Sequence, residues 1–207
     1  MKRLPLLLLF ACASTPPPVS LAGNWPQAAG RYDEAYERWT RRGKDEVDLV
    51  QTVAVSATLL APEFRAAYAR ERAVRLGLSA DEEAQLVAAE RSASDEGWEV
   101  ELLVATSFPV LNDLKKQDKK GSLWHIALIS DDGRQVTPTS VKLDKRQRDD
   151  VARYFPDLEP FYLPYRITFP RASADGRPLV GPEAKRLSLE IASALGKVVL
   201  VWATTQP

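Results

Sequence analysis

The sequence holds 207 residues, with 28 basic and 28 acidic side chains and 45% hydrophobic residues. That length fits one sizeable domain whose core needs no staples, and the even charge lacks the basic excess a nucleic-acid binder requires, so no nucleic acid is expected as a partner. A single cysteine and a single histidine exclude an internal disulfide and any histidine pair for a metal.

Lys2 and Arg3 precede an apolar run, Leu4 to Ala11, interrupted only by Pro5, and small residues follow. This is the layout of an export signal, and the run is far short of the about 20 apolar residues that span a bilayer. The stretch Leu9-Phe10-Ala11-Cys12 resembles the lipobox of bacterial lipoproteins, with Leu9 and Ala11 in the aliphatic and small places and Phe10 a bulky departure. The resemblance covers the first dozen residues only. It implies a signal peptide over residues 1–11, cleavage before Cys12, a diacylglycerol on the Cys12 sulfur and an acyl chain such as palmitate on the new amine. Two or three chains anchor durably where one anchors only marginally. Ala13, where an aspartate would favour inner-membrane retention in lipoproteins of the enterobacterial type, leans the expected location to the outer membrane. Loss of Lys2 and Arg3 leaves 26 basic against 28 acidic side chains, a formal −2.

Residues 12–30 then read as the lipidated cysteine and a flexible tether, Pro16-Pro17-Pro18 favouring an extended polyproline conformation. Seventeen such residues would reach about 50 Å. In RYDEAYERWTRR, Arg31 to Arg42, aromatic residues at helical spacing, early acids and late bases predict a short amphipathic helix. Alternation from Val47 to Leu60 predicts a first strand. Pro62 to Gly77 carries helix start and stop signals, and Ser79 with Glu82 has the spacing of a capping box that opens a second helix to about Arg91. Residues 62–92 are thus an inserted helical hairpin.

Period two returns at Trp98, Val100, Leu102 and Val104, so that Glu99 and Glu101 read as a solvated strand face, and again at Trp124, Ile126 and Leu128. Asp131-Asp132-Gly133-Arg134 is a hairpin turn signal, followed by a strand whose Pro138 suggests an edge or bulge. A short helix over 145–154 and strands at 161–169, 186–193 and 197–204 complete the pattern. The expected fold is mainly β: an antiparallel β-sandwich of about seven strands, immunoglobulin-like in architecture, in a single domain over residues 31–207.

Catalytic signals are weak. His125 lacks a Gly-x-Ser-x-Gly elbow, and Asp131 and Asp132 suit a turn better than a calcium site, which needs further oxygen ligands. No phosphate-cradling or dinucleotide motif occurs, so no catalytic residue, cofactor or metal is assigned. The basic run KKQDKKG places Lys115, Lys116, Lys119 and Lys120 between two strands as a candidate contact with an anionic partner. The expectation is a lipid-anchored, non-enzymatic binding or assembly module of the cell envelope, held to the membrane through Cys12 and presenting a β-sandwich surface to another envelope protein or a surface polymer. The alternatives are an enzyme that acts on wall polymers through two carboxylates and a carrier with an apolar internal pocket.

Overall fold

The computed structural model describes residues 16–47, 50–119 and 121–205, with backbone alone for 117–119. Cys12, Lys120 and the side chain of Lys119 therefore lie outside the described residues.

The chain is mainly β, with two antiparallel sheets and a helical layer. In chain order the elements are α1 (Tyr32–Trp39), β1 (Thr40–Val47), β2 (Val50–Leu59), α2 (Pro62–Leu76), α3 (Ala80–Glu96), β3 (Trp98–Thr106), β4 (His125–Ser130), β5 (Gln135–Val136), β6 (Ser140–Leu143), α4 (Arg148–Tyr154), β7 (Leu163–Phe169), β8 (Arg186–Ser193) and β9 (Gly196–Ala203). Two 3₁₀ turns, Pro109–Leu111 and Leu114–Lys119, lie between β3 and β4. One sheet has the order β1-β2-β3-β7-β6, the other β5-β4-β8-β9.

Alternation explains the core. Val53, Val55, Ala57 and Leu59 of β2 lie in register with Thr106, Val104, Leu102 and Val100 of β3, and Leu102, Val100 and Trp98 pair in turn with Tyr165, Ile167 and Phe169 of β7. These side chains, Thr106 apart, are buried together with Ile126, Leu128, Leu187, Leu189, Ile191, Val198, Leu200 and Trp202 of the second sheet in one continuous apolar cluster. β1 approaches β9 closely: a Cβ on Gly43 would stand 2.7 Å from Val198 Cγ1 and 2.9 Å from Leu200 Cδ2, so this strand position has room for no side chain. The Trp202 indole N–H donates to Trp39 O at 2.8 Å across the same junction.

The other face of the five-stranded sheet meets the helices. Tyr32, Tyr36, Phe64, Tyr68, Tyr154 and Phe155, from α1, α2 and the α4 end, form an aromatic cluster with ring centroids 5.2–6.3 Å apart. Tilted and edge-on contacts of this kind add to simple burial. α3 packs on α2 and begins at the expected capping box, with Ser79 and Glu82 each satisfying the other's backbone N–H. The turn after β4 is also as expected: Gly133 takes φ +83°, a left-handed conformation open to glycine, and Ser130 N donates to Arg134 O at 2.9 Å.

Four features differ from the sequence reading. There are nine strands among the described residues rather than seven, because TRRGKDEV forms β1 and the segment from 134 to 143 divides into β5 and β6. The helix read over 31–42 stops at Trp39. Val19 and Leu21, inside the stretch read as tether, are buried against the core, and Val19 N donates to Ala203 O at 2.9 Å. Glu99 and Glu101 do not form a solvated face: the helical layer covers that face of β3, leaving Glu99 half-buried and Glu101 fully buried.

Candidate functional site: a cationic cleft at one sheet edge

The basic run is held at both ends. Leu114 is fully buried, and the Asp113 carboxylate, itself buried, accepts from Ser122 Oγ at 3.0 Å and Leu123 N at 3.1 Å. Ahead of it, Asn112 Nδ2 donates to Val104 O at 2.9 Å and Trp124 Nε1 to Leu111 O at 2.7 Å. Lys116 turns back on Asp113, at 3.5 Å. Lys115 is exposed and lies beside β6.

Here the fold assembles what the sequence keeps apart. Lys115, Lys142 of β6, Lys145 and Arg146 of the following turn, and Arg166 of β7 line one open cleft of about 930 Å³, together with Leu143 and Asp144. The residues fall into two layers. In the deeper one, Arg166 Nε donates to Glu101 Oε2 at 2.7 Å, and its NH1 stands 3.5 Å from Glu99 Oε2. Arg146 Nε donates to Asp144 Oδ2 at 2.8 Å and Arg146 NH1 to the Tyr68 hydroxyl at 3.1 Å, while Arg146 NH2 lies 3.7 Å from Glu101 Oε2. Arg65, on the buried face of α2, closes the array by donating to Glu90, Glu99 and Leu60 O.

The outer layer differs. Lys115, Lys142 and Lys145 are exposed and form no ion pair among the described residues. The two acids nearest the cleft, Glu101 and Asp144, are already engaged by arginines, so the outward field is that of the three lysines. A concave lining whose unpaired charges are all positive concentrates anions at its mouth.

The buried acids are tuned in opposite directions. Burial pushes the Glu101 carboxyl up, against the attraction of Arg166 and then Arg146, and its Oε1 has no hydrogen-bond partner among the described residues. For Asp144, burial also opposes the charge, but hydrogen bonds from the Arg146 side chain and backbone outweigh it and hold the carboxyl below its ordinary range. Glu99 likewise lies below that range, burial being outweighed by the charge and hydrogen bond of Arg65.

Chemically the described lining of the cleft presents fixed cations and has no Ser, Cys or His, and His125 sits exposed on β4 of the other sheet. It suits recognition of a phosphate or carboxylate group.

Of the four lysines singled out from sequence, Lys115 joins the cleft, Lys116 turns back to Asp113, and Lys119 and Lys120 fall outside the described side chains. Lys142, Lys145, Arg146 and Arg166 were not singled out. The signal available was the closeness of Lys142, Lys145 and Arg146 along the chain; the partnership of Arg166 with Glu101 rests on the β3–β7 register, in which the two are opposite. Compared with known proteins, the chain matches no family model, no curated protein and no solved structure.

Proposed function

We propose that this chain is a lipid-anchored binding protein of a bacterial cell envelope, held to the outer membrane through acyl chains on Cys12, and that the β6–β7 cleft engages an anionic group of another envelope protein or surface polymer. The observation that carries the binding half is the layered charge of the cleft: Arg146 and Arg166 fixed by buried acids, Lys115, Lys142 and Lys145 left outward without ion pairs among the described residues. The anchor half rests on the lipobox-like Leu9-Phe10-Ala11-Cys12. The two antiparallel sheets are read as the layers of an immunoglobulin-like β-sandwich, a reading supported by their shared core and by the contact of Gly43 with Val198 and Leu200.

Two experiments test this. Radiolabelled fatty acid should enter the wild type and not Cys12→Ala; continued labelling of the variant contradicts the anchor. Capture of solubilised envelope components should weaken as salt rises, because exposed charges are screened over about 8 Å at physiological ionic strength, and a Lys142→Glu/Lys145→Glu double variant should lose it while keeping its denaturation midpoint. Capture indifferent to both salt and charge reversal contradicts the cleft.

A further inference from the structure

The chain is clamped to the domain from Pro17 onward. Arg41, 4% exposed, donates through NH2 to Pro17 O at 3.0 Å and through Nε to Val201 O at 2.7 Å, so one guanidinium ties the N-terminal segment to β9. Val19 and Leu21 follow into the core. Only four residues of sequence separate Cys12 from Pro17, and even fully extended the five residue steps span at most about 18 Å. The leash is therefore a third of the length that its composition suggests.

The surface at the clamp is unlike the rest of β9. Pro16, Pro17, Val199, Val201 and Ala203 line an open cleft of about 670 Å³, rimmed by Arg42, Lys185 and Arg186 and by one acid, Asp131, whose Oδ2 accepts from Lys185 N at 2.8 Å. Val199 and Val201 are 47% and 36% exposed, apolar side chains on the outward positions of an edge strand. Lys185 and Arg186 are exposed and have no ion pair among the described residues. Exposed valines beside cations that outnumber the single acid match the boundary between acyl chains and anionic headgroups.

We propose that the outer face of β9, with Lys185 and Arg186, is the surface the domain lays against its own bilayer, a proposal that rests on lipidation of Cys12. It has a consequence for the cationic cleft. β1, which abuts β9, and β6 are the two edges of the five-stranded sheet, four strand spacings or about 19 Å apart. That exceeds the screening length of about 8 Å. The β6–β7 cleft thus lies more than a screening length from the β1 edge, and on this proposal its anionic partner is a component other than the headgroups against β9.

The lipidated protein itself provides the test. Acylation blocks the one natural thiol, so Val199→Cys, Val201→Cys or Lys142→Cys each carries a single reactive sulfur for a fluorophore. In vesicles of phosphatidylethanolamine and phosphatidylglycerol bearing headgroup nitroxides, labels at 199 and 201 should lose fluorescence and the label at 142 should retain it. A Gly-Ser insertion after Ser14 that triples the leash should restore fluorescence at 199 and 201, as should Lys185→Glu/Arg186→Glu. Equal quenching at all three sites, or stronger quenching at 142, in protein whose mass shows the acyl chains overturns the orientation and leaves the anchor standing. A mass without acyl chains overturns the anchor, and the orientation with it.

Discussion

Glu101 is the residue whose surroundings say most about how the cleft is built. Its carboxylate is fully buried, receives Arg166 on one oxygen and has no partner for the other among the described residues. Removing it as Glu101→Ala leaves Arg166 without its nearest anion. Loss of one member of a buried pair is strongly destabilising, but Arg166 still reaches solvent, so about 2–4 kcal/mol is expected after screening. Glu101→Gln keeps an acceptor and should be much milder. Because burial raises the folded-state pKa of Glu101 above its unfolded value of about 4.3, stability linked to this group is full below that value and falls as pH rises through the raised one. The Gln variant should therefore gain on the wild type across that interval in denaturant melts; a constant gap would contradict the raised carboxyl. Trp124 is the contrasting case. Alternation alone placed it on an inward face; it is 2% exposed and bonded to Leu111 O, and Trp124→Ala should cost about 3–5 kcal/mol in the same assay. An apolar residue announces its burial locally, whereas a buried acid is recognised only through partners distant in sequence, here Arg166 and Arg146.

Among the elements, β2, β3, β4, β7, β8 and β9 were legible because each carries apolar residues at alternate positions, although only β9 alternates in burial throughout and β2 and β3 are buried on both faces. β1 was not. Its sequence TRRGKDEV is polar, and its conformation is set by pairing with β2 from Thr40↔Thr58 to Val47↔Val50. The aromatic spacing of Tyr32, Tyr36 and Trp39 was read correctly as helix, but Arg41 beyond it is taken by the Pro17 and Val201 carbonyls, which extended backbone permits. Gly43 is the position at which β1 tolerates least: Gly43→Ala places a methyl against Val198 and Leu200 and should cost about 1–3 kcal/mol by overpacking. An unchanged melting midpoint would contradict the close approach of β1 to β9. In α3, Ser79→Ala removes the capping box and should cost about 1 kcal/mol, readable as faster amide exchange in the first turn of that helix.

For the whole molecule, one basic surface stands at the β6 edge of the five-stranded sheet and the other on β8 and β9 of the four-stranded sheet, and neither was legible as a unit. Lys115, Lys142 and Lys145 come from two segments, the lysine run pinned by Asp113 and the stretch from β6 into the following turn, set in place by the β6–β7 pairing. Lys185 and Arg186 meet Pro17 only because Val19 and Leu21 fold back along β9. The acids beneath the cleft make the assembly sensitive to acid. Asp144 and Glu99 have folded-state pKa values below the ordinary ones, so their contribution is present above about pH 4 and is lost as pH falls through the folded values. Acid titration should therefore loosen the β6–β7 edge, seen as amide exchange at Val141 and Lys142, and Asp144→Asn should remove part of that response; identical acid profiles would contradict the role given to Asp144. The most direct measurement is photo-crosslinking in intact cells from a diazirine residue at position 145, with the exposed Val74 of α2 as control. A discrete adduct from 145, weakened by Lys142→Glu and missing from 74, is the predicted result; equal adducts from both positions, or none from 145 in lipidated and folded protein, would contradict an anion-bearing partner at the cleft.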